Sequence, residues 1–278
     1  MLDKHKIIAL LTDFGLKESS VAAMKGTILS ICPEAQIIDI SHEIPLFNVR
    51  YGAFVLASAA PYFPKGTIFV GVVDPGVGTE RRGIVVETEN YLAVGPDNGL
   101  FSLLMDRERV RSVYEIRNED LMLEKKTHTF HGLTIFSPVA AHLANGVEPR
   151  MVGPKINNYI RWSIPKTMVK EGVIWGEIIH IDQFGNGITN ITENDLKKIG
   201  VTYGSNIKIR IDGKRINSPF QKAYGYTKIG SYVCVIGSYD FLEISINQGN
   251  AAKKLGIKVG SKVKVGRLIK LGEKKNPS

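Results

Sequence analysis

Three consecutive stretches, Lys6-Ile-Ile-Ala-Leu-Leu-Thr12, Ser19-Ser-Val-Ala-Ala-Met-Lys-Gly-Thr-Ile-Leu-Ser-Ile-Cys32 and Gln36-Ile-Ile-Asp-Ile40, decide the fold class. The first is an unbroken apolar run, as a strand covered on both faces requires. The second has helical spacing, a Ser at its start and Pro33 at its stop, and the third is again strand-like. Working outward, Asn48 opens an amphipathic helix running to Ala60, and Gly66-Thr-Ile-Phe-Val-Gly-Val-Val73 is a third buried strand. Gly83–Glu87, Tyr91–Val94 and Val110–Ile116 read as further strands, and Asn98–Met105 and Pro138–Ala144 as helices. Such alternation means an α/β fold, a mainly parallel sheet with helices on both faces.

The pattern changes after Gly146. Pro149, Pro154, Pro165 and the polar Lys155-Ile-Asn-Asn158 mark a connection. Beyond it Val173–Ile181, Gly187–Ile191, Ile207–Ile211, Tyr232–Ile236, Phe241–Ile246 and Lys262–Ile269 read as strands, with only Glu193–Ile199 and Ala251–Leu255 helical. The sequence therefore predicts an N-terminal α/β sandwich domain over 1–150, a linker over 151–172 and a smaller C-terminal β-barrel-like domain over 173–278.

At 278 residues, 44% hydrophobic and 23% charged, the chain can bury a sizeable core, which excludes a largely disordered or collagen-like polymer. No apolar run approaches the roughly 18–20 residues of a membrane span, and the charged start Met1-Leu-Asp-Lys-His-Lys6 does not resemble a secretion signal. Two distant cysteines, Cys32 and Cys234, among apolar neighbours suit reduced core thiols, so the expected location is cytoplasmic. The net charge of +9 is concentrated: from Asn250 onward nine Lys or Arg face Glu273 alone, which accounts for +8 of it. In Lys258-Val-Gly-Ser-Lys-Val-Lys-Val-Gly-Arg267 charges alternate with apolar residues, as on the solvated face of an edge strand. Nucleic acid is not expected as a partner, because the body of the chain is near neutral and no aromatic follows Phe241 to stack on bases.

Ligands of doubly wound sheets bind beyond the carboxyl ends of the strands, where Asp13 and Asp74 stand; Asp182 ends a strand of the second domain. A carboxylate there is often only a turn or helix cap. Asp13 and Asp182, however, are each followed by an aromatic and a glycine, and a carboxylate can grip a ribose diol. Asp74-Pro-Gly-Val-Gly-Thr-Glu-Arg81 lacks the phosphate-loop pattern and opens with an anion, but its tight turn lets Arg81 fold back onto Asp74. His128 and His131 have no nearby carboxylate companion for a metal, and none is expected. His131, in a loop at a helix entrance, is free for acid–base work or for positioning water, whereas His142 belongs to the core. No Gly-x-Ser-x-Gly elbow supports acyl transfer.

Thr12-Asp-Phe-Gly15, Ser20-Val-Ala-Ala-Met-Lys-Gly26, Ile31-Cys-Pro33, Val73-Asp-Pro-Gly-Val-Gly-Thr79, Pro96-Asp-Asn-Gly-Leu100, Thr129-Phe-His-Gly132, Pro138-Val-Ala-Ala-His-Leu143 and Asp182-Gln-Phe-Gly-Asn-Gly187 together resemble the S-adenosyl-L-methionine hydroxide adenosyltransferase family, relatives of fluorinating and chlorinating enzymes. The likeness covers nearly the whole chain in order. It implies hydrolysis of S-adenosyl-L-methionine to adenosine and L-methionine, without cofactor, in a homotrimer whose sites lie between the N-domain of one subunit and the C-domain of the next. By position it implies a catalytic set of Asp74, Arg81 and His131, with Asp13 on the ribose and Asn186 and the backbone near Ile246 on the adenine. Phe47, Phe184 and Tyr224 would pack around the nucleoside, and Asp182, Ser20, Ser238, Tyr239 and Glu243 would surround the methionine or adenosine ends.

The halogenating relatives carry a tyrosine where Asp74 stands and a serine where Gly132 stands. A carboxylate beside the reacting carbon opposes a halide and suits a water, which favours the hydrolase over a halogenase-like enzyme. A non-catalytic adenosine- or S-adenosylmethionine-binding protein would keep Asp13 and Asn186 without needing Asp74, Arg81 and His131 together. The sulfonium leaves without a proton, so the site has only to orient a water and relieve it of its proton; Asp74 and His131 are both expected to accept from that water.

Overall fold

The computed structural model describes residues 6–124 and 127–268. The chain divides into two compact units, the first ending at Ser163 and the second beginning at Ile164. In the first, β1 (Ile7–Thr12), α1 (Ser20–Ile31), β2 (Gln36–Ser41), α2 (Val49–Ala59), β3 (Ile68–Val72), β4 (Gly83–Thr88), β5 (Leu92–Pro96), α3 (Ser102–Arg107), β6 (Val110–Glu115) and α4 (Ser137–Ala144) follow one another. The sheet runs β2-β1-β3-β5-β4-β6, parallel from β2 to β5, with β4 antiparallel to both its neighbours. β1 and β3 are buried throughout because helices cover both faces, and β2, at the edge, has only exposed and partly buried positions.

α1 and α4 bury Met24, Ile28, Val139 and Ala140 against Ile8, Leu10, Val70 and Val85. On the opposite face Gly52 of α2 brings the helix backbone within a methyl group of Leu11, Val73 and Leu100. Asn48 caps α2 as expected, its side chain accepting from Tyr51 N. The helix expected from Asn98 starts four residues later at Ser102. Asn98 instead organises the preceding turn, donating to the Val73 carbonyl and accepting from Leu100 N. Much of the expected linker belongs to this unit: Ile156 N bonds the Val113 carbonyl, Ile160 N bonds Asp97 Oδ1 and the Trp162 indole bonds the Gly99 carbonyl.

The second unit contains β7 (Met168–Lys170), β8 (Val173–Ile181), β9 (Gly187–Thr192), α5 (Glu193–Lys198), β10 (Asn206–Ile211), β11 (Lys214–Pro219), β12 (Tyr232–Ile236), β13 (Phe241–Ile246), α6 (Ala251–Leu255) and β14 (Lys262–Arg267). The order is β11-β10-β14-β8-β9-β13-β12, with β7 paired to β8. A bridge between Phe220 and Cys234 joins the chain after β11 to β12, so the antiparallel sheet nearly closes into a barrel. Its core is Ile174, Ile178, Ile191, Ile207, Ile209, Phe220, Ile244, Val263 and Val265. β14 lies between β10 and β8, not at an edge, which corrects the edge-strand expectation. Lys270, Lys274 and Lys275 of the basic segment fall outside the described residues.

Candidate active site

Thr12 at the end of β1 is level with Val72 at the end of β3, so Asp13 follows directly and Asp74 two residues later at the same carboxyl edge of the sheet. The loop after Asp74 turns tightly. Val77 N bonds the Asp74 carbonyl, Thr79 bonds the Gly76 carbonyl through both N and Oγ1, and Thr79 Oγ1 then accepts from Arg81 N. Gly78 sits at φ +78°, and a Cβ there would lie 2.8 Å from the His128 carbonyl oxygen. This turn returns Arg81 onto Asp74: Arg81 Nε lies 2.9 Å from both carboxylate oxygens, and Nη2 also bonds Oδ2. The two side chains are 11% and 5% exposed, which sets this pair apart from solvated surface pairs.

The same Nη2 lies 2.7 Å from His131 Nδ1. A guanidinium only donates, so Nδ1 is the acceptor and the neutral ring carries its proton on Nε2. This contact occupies Nδ1 and leaves Nε2 of the neutral ring as a donor, which differs from the expectation of His131 as an acceptor. Burial first, then the charges of Arg81 and His128, hold the His131 pKa below the usual histidine value against an opposing pull from Asp74. His131 precedes a turn of π-helix, Gly132–Phe136, that leads into α4, and Phe136 stacks beneath the Arg81 guanidinium at 5.3 Å.

Asp13 is buried, and its Oδ2 accepts from Phe47 N at 2.8 Å; among the described residues no side chain bonds Oδ1. Phe47 is 65% exposed and adopts φ +62°, a strained conformation for a non-glycine residue. Ser20 opens α1 without a side-chain bond to these groups among the described residues. Sequence reasoning missed His42, whose Nδ1 lies 2.8 Å from Thr12 Oγ1 and whose Nε2 lies 3.0 Å from Asp39 Oδ1, fixing the loop that carries Phe47. Its only signal was a histidine just after a strand.

In the second unit Asp182 organises its own turn, Oδ1 accepting from Phe184 N and Asn186 N and Oδ2 from Asn186 Nδ2. Phe184 is thereby held outward at 67% exposure while Asn186 is buried. Tyr224 donates to Glu243 Oε2 at 2.6 Å, and burial pushes the Glu243 carboxyl and the Tyr224 hydroxyl up from their usual pKa values. Tyr239 packs edge-on to His180, whose burial lowers its pKa to about 4. Ser238 is exposed in the turn between β12 and β13, and Ile246 ends β13 buried. Among the described residues no three His, Cys, Asp or Glu side chains group as metal ligands.

A buried carboxylate clamped by a guanidinium that is itself braced by a neutral imidazole, on an α/β unit linked to a small barrel, defines a two-unit enzyme that directs a polar reactant such as water. The chain belongs to the S-adenosyl-L-methionine hydroxide adenosyltransferase family: the model of that family's N-terminal domain matches residues 8–153 and that of its C-terminal domain residues 176–264. A relative from Methanocaldococcus jannaschii, named (R)-S-adenosyl-L-methionine hydrolase, is 40% identical over 90% of this chain and 92% of its own. A fluorinase from Actinopolyspora mzabensis is 28% identical over 94% and 97%. The crystal structure of an uncharacterized conserved protein from Thermotoga maritima superposes with a TM-score of 0.89 at 37% identity, covering 94% of this chain and all of that one.

Proposed function

We infer that the protein hydrolyses S-adenosyl-L-methionine to adenosine and L-methionine. The observation that carries the reading is the Asp74–Arg81–His131 chain of contacts. A water oxygen attacks C5' in line with the sulfur, the C5'–S bond breaks, and its electron pair neutralises the sulfonium as the methionine thioether. Departure needs no proton, so the site's work is to orient the water and take up its hydrogen. In this reading Asp74 accepts that hydrogen, Arg81 fixes both oxygens of Asp74, and His131 donates from Nε2 to hold the water's second lone pair in place.

Asp13, with Oδ1 available, holds the ribose hydroxyls, and Ser20 and Phe47 line the same edge. Asn186 and the backbone near Ile246 hold the adenine; Phe184 and Tyr224 pack on the nucleoside; Asp182, Ser238, Tyr239 and Glu243 surround its polar ends. The reading includes a homotrimer in which unit 1 of one copy and unit 2 of the next complete each site. Its support is the family resemblance together with a shared device: Asp13 and Asp182 each hold an outward-facing phenylalanine by its backbone N–H. A cytoplasmic location accompanies it, in keeping with two free, buried cysteines.

The halogenase-like reading is weaker, because a clamped carboxylate repels a halide and the relative named as a fluorinase is the less similar. The test is to incubate the purified protein with each sulfonium epimer of S-adenosyl-L-methionine, with and without EDTA and in chloride buffer, and to separate the products. Adenosine and methionine in equal amounts, unaffected by EDTA, are expected. A 5'-chlorinated nucleoside, or no cleavage of either epimer, would overturn the reading.

A further inference from the structure

Arg215, Arg210 and Lys264 stand directly opposite one another across β11, β10 and β14, and Trp175 of β8 and Met168 of β7 continue the row. Residues paired in this way share one face of a sheet. The other face of these strands is the barrel core of Ile207, Ile209, Val263, Val265 and Ile174, so the row lies on the outside. Arg210 and Arg215 are exposed and Trp175 is 40% exposed, with Lys264 Nζ 3.5 Å from the centre of its ring. Lys208, opposite Asn217, adds a fourth cation to the same face. Glu177, the acid on this face, is engaged by Lys262, and among the described residues no ion pair uses Lys208, Arg210, Arg215 or Lys264.

Like charges directly opposite one another destabilise a sheet, and here two such pairs, Arg215 with Arg210 and Arg210 with Lys264, share one line. A face that carries this repulsion is matched to a polyanion. The basic C-terminal segment contains no aromatic of its own after Phe241. Folding supplies one from elsewhere, because β14 pairs with β8 and so sets Lys264 over Trp175.

We propose that this outer face of the barrel binds single-stranded nucleic acid without sequence selectivity: its cations meet phosphates, and Lys264 leaves the Trp175 ring for a phosphate so that a base takes its place on the indole. The cations repeat at the strand spacing of about 4.8 Å across neighbouring strands, and a 40% exposed indole in line with them offers any base a face once Lys264 moves off it. A duplex keeps its base faces hidden; a lipid surface also accepts an indole beside cations, and the vesicle arm of the test separates it from the single strand.

The test measures binding of a fluorescently labelled oligouridylate to the full chain by anisotropy across a salt series. Four phosphate contacts predict a slope of about −3 for log affinity against log salt. The double variant Arg210→Glu/Lys264→Glu should bind at least tenfold more weakly, and Trp175→Leu should bind more weakly with its salt slope unchanged. Both should cleave S-adenosyl-L-methionine at the parent rate, and an unchanged melting midpoint checks that they fold. The charge-matched control Lys65→Glu/Arg111→Glu, on the other unit, should bind as the parent does. Equal loss in that control, tighter binding of a duplex, or binding of phosphatidylserine vesicles without binding of the oligomer would each overturn the proposal.

Discussion

Arg81 answers two partners at once, and its demands on them differ: it needs Asp74 ionised and His131 neutral at Nδ1. Protonating His131 would put an N–H against the guanidinium, so the contact fails when the ring becomes charged. Because burial and Arg81 hold its pKa below the ordinary histidine value, the ring stays neutral through pH 7 and charges only at more acidic pH. A profile of kcat/KM should therefore be flat around neutrality and fall on the acid side below the usual histidine range; a fall centred above pH 7 would contradict this. The return of Arg81 onto Asp74 was legible in the Pro-Gly-Val-Gly turn between them. The tautomer of His131 was not, since it depends on which ring nitrogen a residue fifty positions away reaches. His42 was invisible for the same reason: its partners Thr12 and Asp39 are set by strand register rather than by spacing.

The loop between β3 and β4 does its work through backbone shape. Gly78 holds φ +78° with no room for a methyl group against the His128 carbonyl. Gly78→Ala should then strain the turn, cost about 1–3 kcal/mol in a urea melt and lower kcat by displacing Arg81; a variant with the parent's stability and kcat would refute the role assigned to the turn. Most elements could be read from pattern, because long apolar runs such as Ile7–Leu11 have only one use in a covered sheet. β7 and β11 could not. β7 is three exposed residues, and β11 is the polar Lys214-Arg-Ile-Asn-Ser-Pro219, whose pairing partner, β10, is what makes it a strand. The same non-local pairing turned an expected edge strand, β14, into an interior one.

At the scale of the whole molecule, the proposed trimer makes a sharp demand on mixed assemblies. Asp74→Asn, which keeps shape but weakens the acceptor, should lower kcat by roughly 10²–10⁴-fold, and Asn186→Ala should raise KM. If each site takes unit 1 from one copy and unit 2 from another, co-expressing the two variants in equal amounts should restore about one quarter of parent activity at a substrate concentration too low for Asn186→Ala to turn over, because one site in four then draws both intact halves. Activity no greater than the sum of the two variants alone would show that each site is built within one chain. Beneath this lies the claim that water itself attacks C5', rather than Asp74 forming an ester that water later opens. A single turnover with enzyme in excess in heavy-oxygen water separates the routes. Direct attack places the heavy oxygen in the 5'-hydroxyl of adenosine at once, as the Arg81-clamped carboxylate predicts; unlabelled adenosine, with the label found in Asp74, would contradict it.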